Sequence, residues 1–282
     1  MLFVDRVPAP PLDAFIASIW FCEHAPRPFT LERVLPSGAA QLIVNLKEDQ
    51  TRIYHPEWRR GPMRVSSGTV LTGVASGYSI IDTAEQECVA GVAFRPGGTV
   101  AFFSTPAHEL RDAVTPLDLL WGRLRAAELR QQLLEATRPD ARLDILERTL
   151  VGALNYPGLH PAVAFALHTF TERPDAASIA DLEGRIGLSA KRFIERFKTS
   201  VGLTPKHYCR ILRFQRALAS AEQGRSVDWT RIAIDCGYFD QAHFIHDFRS
   251  FAGITPTLYD AGRTQFRNHV KFLQAVAGID VT

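Results

Sequence analysis

The chain has 282 residues, 46% of them hydrophobic and 22% charged, with a net charge of +2 when the histidines are neutral. That balance excludes a disordered or low-complexity chain, and so small a net charge cannot by itself argue for nucleic acid; the distribution of charge has to. The N-terminal residues MLFVDRVPAPP lack a basic segment leading into an apolar run, and no stretch approaches the ~20 apolar residues of a membrane span. The expectation is a cytoplasmic protein with no membrane partner. Cys22, Cys88, Cys209 and Cys236 form no CxxC pair and are too sparse for a disulfide scaffold, so buried, reduced thiols are expected.

The length predicts more than one domain. After Pro10 and Pro11, the spacing of Leu12, Phe15, Ile16, Ile19 and Trp20 predicts a short amphipathic helix. Short β-branched runs follow at 41–46, 51–54, 69–74, 78–82 and 88–95, separated by Gly, Pro and Asp clusters, and predict a mostly antiparallel, barrel-like sheet domain. From Thr105 the pattern turns helical, with stripes at Leu117, Leu120, Trp121 and Leu124 and at Leu143, Leu146, Leu150 and Leu154. Asn155-Tyr156-Pro157-Gly158 marks a boundary. The predicted class is α+β: a β-rich regulatory domain over 1–110 with flanking helices, a helical connector and dimerisation segment over 111–157, an all-α domain with two helix-turn-helix units over 158–262, and a helical tail over 263–282 with Phe266, Val270, Leu273 and Ala277 on one face.

The all-α assignment rests on an internal repeat. FIERFKTSVGLTPKHY at 193–208 and FIHDFRSFAGITPTLY at 244–259 share seven of sixteen residues at an offset of 51. Phe193 and Phe197, like Phe244 and Phe248, are four apart and share a helix face, which makes them core anchors. Gly202 and Gly253 read as helix stops, and Thr204-Pro205 and Thr255-Pro256 as the cap and first turn of the next helix. Before each copy stands another helix and a glycine turn. Ser178-Ile179-Ala180-Asp181 is a capping box, with Gly187 in the turn and Ser189 capping; Asp228 caps the second, with Cys236-Gly237-Tyr238-Phe239 as turn and Asp240 capping. Helix, tight glycine turn and helix is the helix-turn-helix plan. A long helix from Pro205, striped by Tyr208, Ile211, Leu212, Gln215 and Leu218, would join the units.

Charge is uneven across this domain. Residues 189–216 carry eight Lys and Arg against one Glu, whereas 217–259 carry three Arg against five acids. The first unit and the joining helix are therefore expected to supply most of the attraction to phosphates, through Ser189, Arg196, Lys198, Lys206 and Arg210, with Arg249 from the second unit. Donor and acceptor geometry assigns Lys191 and Arg192 to guanine, Glu195 to cytosine and Gln241 to adenine, with His243 and His246 beside it along the groove.

The second unit, IAIDCGYFDQAHFIHDFRSFAGITPTLY, resembles the signature of the AraC/XylS family of bacterial transcription regulators in Ala233, Gly237, Tyr238, the Phe244 and Phe248 pair and the Gly253-x-Thr255-Pro256-x-x-Tyr259 close. The resemblance covers about 100 residues. It implies a seven-helix domain with two helix-turn-helix units, double-stranded DNA as partner, and base-reading positions at Lys191, Ile194 and Glu195 and at Gln241, Ala242, His243 and His246. RNA polymerase, a small-molecule effector and a second copy of the chain are further partners it implies. One departure is Glu183, where the family favours a small residue such as Ala233.

The first 110 residues resemble the family's β-rich regulatory domains loosely, in LPSGAAQLIVNL and VAFRPGG. Candidate effector-binding residues there are Glu32, Arg33, Asn45, Tyr78, Asp82 and Arg95. No cofactor or metal is expected: His24, His55 and His108 have no ligand spacing, and the Arg95-Pro96-Gly97-Gly98 glycines suit a strand-to-helix turn. The chain is read as a regulator and not an enzyme. The competing readings are a DNA-tethered enzyme, such as an alkyl transferase with an activated cysteine, and a protein-interaction scaffold that has lost specific DNA binding.

Overall fold

The computed structural model describes residues 1–26, 31–54, 64–155, 158–173, 185–222 and 227–272. Its N-terminal half is built on a six-stranded antiparallel sheet in the order β1 (Leu2–Arg6), β2 (Ile16–Glu23), β9 (Cys88–Phe94), β4 (Gln41–Asn45), β7 (Thr69–Thr72), β10 (Val114–Pro116). A three-stranded sheet orders β11 (His269–Lys271), β3 (Leu31–Val34) and β8 (Ser79–Asp82), and β5 (Thr51–Ile53) pairs with β6 (Arg64–Ser66). Alternation assigns the faces. Leu42 and Val44 are buried on one side of β4, while Gln41 and Ile43 look to the other.

The helix expected over 12–20 is a 3-10 turn at Leu12–Ala14 followed by strand β2. A bulge between Ile16 and Ser18 explains the misreading. The extra residue shifts the alternation, so Ile16, Ile19 and Phe21 all face the core at a spacing that imitates a helix.

Helices α1 (Leu117–Trp121), α2 (Arg123–Glu135) and α3 (Pro139–Ala153) pack on the buried sheet face, where Leu129, Leu133, Leu146 and Leu150 meet Ile19, Phe21, Leu42 and Val92 in one core. The segment expected as a connector therefore shares the hydrophobic core of the sheet. Gly122, at φ +86°, breaks the run between α1 and α2. The stripe stops there, and Leu124 is 88% exposed. Residues 105–113 are irregular and lead into β10, not into a helix.

The C-terminal half contains α4 (Pro161–Glu172), α5 (Ala190–Val201), α6 (Pro205–Glu222), α7 (Trp229–Asp235), α8 (Gln241–Ala252) and α9 (Pro256–Gly262). The four repeat phenylalanines are fully buried, with Phe170, Phe214 and Tyr259 beside them. The capping box at 178–181, together with Glu183 and Gly184, lies outside the described residues, as do Tyr156, Pro157 and His55.

The tail corrects another expectation. After α9 the chain does not continue as a helix over 263–272; it returns to the N-terminal half as β11. His269, Val270 and Lys271 pair with Val34, Arg33 and Glu32, and Val270 is completely buried. Leu273 and Ala277 lie outside the described residues.

Candidate nucleic-acid interface and interior cavity

The second helices of the two units, α5 and α8, each bury one face and expose the other. In α5, Phe193, Phe197 and Val201 are buried, while Lys191, Arg192, Glu195 and Arg196 are exposed, Ile194 and Lys198 partly so. In α8, Phe244, Asp247, Phe248 and Phe251 are buried, while Gln241, Ala242, His246 and Arg249 are exposed and His243 and Ile245 are intermediate. Asp240 accepts a 2.7 Å hydrogen bond from the His243 amide and fixes the start of α8. Ser189 is exposed at the start of α5, but its hydroxyl makes no capping bond there, contrary to the expected cap. Lys206 is exposed beside the start of α6. Among the described residues, Lys191, Arg192, Arg196, Lys198, Lys206 and Arg249 form no ion pair, so the Lys and Arg of this face are held out to solvent and available to phosphates.

Arg210 does not belong to this set. Its Nη2 and Nε donate to the Asp247 carboxylate at 2.7 and 3.3 Å, and its guanidinium lies 5.1 Å from the Phe251 ring. Asp247 is 2% exposed. The pair pins α8 to the joining helix α6 and removes one charge of each sign from the exposed count. Helix-face spacing could not show this, because it does not reveal which arginine meets a buried acid. Arg213 similarly donates to the Gly237 carbonyl and lies over Tyr238 at the turn of the second unit.

Between the two sheets lies a cavity of about 990 Å³, lined by Trp20, Ile43, Val70, Thr72 and Ile80 from the N-terminal strands and by Phe266, Asn268 and His269 from the C-terminal half. Of the six candidate effector residues, Glu32 and Tyr78 line it. Glu32 is 0% exposed and accepts from His269 Nδ1 at 2.7 Å. The other four do not line it and make contacts within the fold. Arg33 lies between the Tyr78 and Phe272 rings, 5.6 and 4.1 Å away, and burial holds its pKa below the ordinary value. Asn45 bonds Gln50 O and the amides of Lys47 and Glu48, closing a turn. Asp82 caps a 3-10 helix through the Ala84 amide and accepts from Tyr54. Arg95 donates to the Asp13 carbonyl.

Residues that sequence reasoning missed are at the cavity's polar end. Glu85 is 3% exposed and accepts from the Arg52 amide at 2.6 Å and from Arg52 Nη1 at 3.1 Å. Burial nonetheless raises its pKa to about 7. Burial and the nearby Asp82 carboxylate push Tyr54 up to about 12. In the sequence, only the alternation of Gln41-Leu42-Ile43-Val44 hinted at a second, inward face.

The cavity wall also touches both helix-turn-helix units. The loop over 73–78, between β7 and β8, reaches the C-terminal end of each second helix. His207 Nε2 lies 3.1 Å from the Ser76 carbonyl. Gly202 closes α5 at φ +90°, and a methyl on it would stand 2.4 Å from Val74. Gly253 closes α8 at φ +66°, and a methyl there would stand 2.3 Å from the Tyr78 ring. Each glycine is thus both a left-handed cap and a point of close approach.

Cys88, Cys209 and Cys236 give no support to an activated nucleophile. Burial raises the thiol pKa of Cys88 and Cys236, and raises that of Cys209 to about 12, opposite to the direction catalysis needs. No described helix is long and apolar enough to cross a membrane, and no metal-binding cluster occurs among the described residues.

A family model described as a helix-turn-helix domain matches residues 182–262, and one described as Domain of unknown function (DUF6597) matches residues 5–116. No curated protein matches the chain. Among solved structures the chain is similar to ToxT from Vibrio cholerae. For its P21 crystal form the identity is 10% and the TM-score 0.47, over 92% of this chain and 98% of that one. For wild-type ToxT with bound unsaturated fatty acid the values are 10% and 0.46, over 91% and 94%. For ToxT bound to (E)-4-(8-methylnaphthalen-1-yl)but-3-enoic acid they are 9% and 0.48, over 92% and 98%.

Proposed function

We propose, from the premise that the chain is a DNA-binding transcription regulator of the AraC/XylS type with a β-rich N-terminal domain, that it reads duplex DNA with the outward faces of α5 and α8 under the control of a small molecule held between its sheets. The observation that carries the DNA-reading part is the division of each second helix into a fully buried phenylalanine face and an exposed polar face. Lys191, Arg192 and Glu195 in α5, and Gln241, Ala242, His243 and His246 in α8, would meet base edges. Ser189, Arg196, Lys198, Lys206 and Arg249 would hold phosphates. Arg210 is left out, because Asp247 occupies it.

The cavity supports the sensing part, since it lies between two sheets and offers largely apolar walls with a few polar groups. Leu119, Leu124 and Val151 stand 74%, 88% and 52% exposed on α1–α3 and support pairing with a second copy of the chain. Contact with RNA polymerase at the promoter is part of the same proposal.

The test is selection of bound sequences from a random duplex pool, followed by titration at several salt concentrations. Joint Lys191→Ala and Arg192→Ala exchange is expected to relax base preference in one half-site. Arg196→Ala is expected to weaken all sequences alike and to lower the salt slope by about 0.9. Unaltered preference in the first variant would refute the assignment of α5 as a base-reading helix.

A further inference from the structure

The charged side chains of the cavity wall are weighted toward acids: Glu32, Glu85, Asp112 and Glu222 line it against Arg52 and Arg267. The most deeply buried of them, Glu32 and Glu85, are both carboxylates. At Glu85 the Arg52 guanidinium, itself part of the wall, is shared by three acids, at 2.7 Å from Glu48, 3.1 Å from Glu85 and 3.7 Å from Asp82, so acids outnumber the base in this cluster. His24 lies at the same end, its amide bonded to the Glu87 carbonyl. Its Nδ1 lies 2.7 Å from the Ala25 carbonyl, which can only accept, so Nδ1 carries a proton and, in the neutral ring, Nε2 is an acceptor. That Nε2 is buried without a hydrogen-bond partner among the described residues. The apolar wall adds aromatic rings: Phe3 lies 6.3 Å from Trp20 and 5.7 Å from Phe266. Carboxylates, a lone-pair acceptor and π faces all favour a cation and oppose an anion.

We propose that the cavity takes a small molecule with an apolar, ring-bearing body and one protonated amine, the amine lying among Glu32, Glu85 and His24. This rests on the effector reading above and gives it a ligand class. The volume of about 990 Å³ is at the upper end of the range for drug-sized ligands. Occupancy also touches the DNA-reading half directly, because His269 and Phe266 belong to the segment after α9 and the lining loop 73–78 abuts the ends of α5 and α8.

The full chain is titrated by calorimetry at pH 8 with 4-phenylbutylamine, 4-phenylbutanol and 4-phenylbutanoate, which share a body and differ in the head. The amine is expected to bind at least tenfold more tightly than the carboxylate. The pair Glu32→Gln and Glu85→Gln should cut that preference below threefold while the alcohol binds as before, which also reports that the variant is folded. Ile43→Trp, which fills the cavity without touching an ionisable group, should abolish binding of all three. Saturating amine should shift affinity for the selected DNA at least threefold. Carboxylate binding equal to or tighter than amine binding, or uptake of none of the probes, overturns the assignment. So does amine binding that survives Ile43→Trp. Unchanged DNA affinity at saturating amine overturns the coupling. A chain that binds the amine but selects no DNA refutes the regulator reading and leaves the pocket standing; one that selects DNA but takes up no probe does the reverse.

Discussion

The buried pair between Arg210 and Asp247 makes a quantitative prediction about how the second unit is held. Asp247 is 2% exposed and Arg210 has 26% of its side chain in solvent, so the two single exchanges should differ. Arg210→Met leaves a buried carboxylate whose remaining ion-pair contact among the described residues is His243, with Nε2 3.9 Å away, and should cost about 4 kcal/mol, within the usual range for an orphaned buried charge. Asp247→Leu leaves a guanidinium that can still reach water, and should cost less, about 2 kcal/mol. Arg210→Met with Asp247→Leu removes both charges and should cost about 1–2 kcal/mol, far below the sum of the singles. Urea denaturation followed by tryptophan fluorescence measures all three, because Trp229 stacks on Phe244 at 5.8 Å within the unit. If Arg210→Met costs under about 1 kcal/mol, or the double exchange equals the sum, the pair does not lock α8 to α6. Arg210 then returns to the phosphate contacts.

Two further predictions concern the N-terminal half and its junction. Glu85 has a folded pKa raised from 4.5 to about 7, so the folded state holds the proton more strongly and the associated stability is present below pH ~4.5 and lost as pH rises through ~7. The loss is on the order of 3 kcal/mol and should disappear from the pH profile of urea denaturation in Glu85→Gln; an unchanged profile would show that Glu85 titrates normally. Gly253→Ala sets a methyl 2.3 Å from the Tyr78 ring at φ +66° and should lower Tm well beyond Gly187→Ala, whose φ of +63° is similarly strained but whose surroundings are open. Equal Tm losses in a thermal melt would mean the loop 73–78 yields freely.

What the sequence made legible follows from how local the cause was. The caps at Asp228, Asp240 and Thr255 and the left-handed stops at Gly202 and Gly253 are fixed by residues within one turn of each other, and all hold. The five runs read as strands are strands for a related reason, since β-branched alternation marks each one by itself. Structure decided by distant partners was not legible. Leu31-Glu32-Arg33-Val34 carries two charges and does not read as a strand; it becomes one because β8 pairs along one edge and the returning His269–Lys271 along the other. The polar end of the cavity joins Arg52 to Glu85 across 33 positions, and no spacing rule connects them. The bulge in β2 misled in the opposite way, giving a strand the periodicity of a helix.

The same kind of distant contact bears on how a signal would reach DNA. Each second helix is twelve residues long, about 18 Å from end to end. Its first two turns carry the residues proposed to read bases, and its C-terminal glycine rests near the loop 73–78. A helix of that length, with its aromatic face buried, moves as a rod and does not bend locally. The two helices meet the loop at different residues, Val74 for one and Tyr78 for the other, and the loop connects two strands that wall the cavity. A displacement of that loop therefore acts on both rods at once. It would change their relative aim while the joining helix α6, bonded to α8 through Arg210, holds their connection intact. Under the proposed effector control, reorientation would need no melting of either unit, and the glycine at each helix end is what lets the loop approach so closely. A bulkier residue at either helix end would push that rod off the loop and leave its partner unaffected.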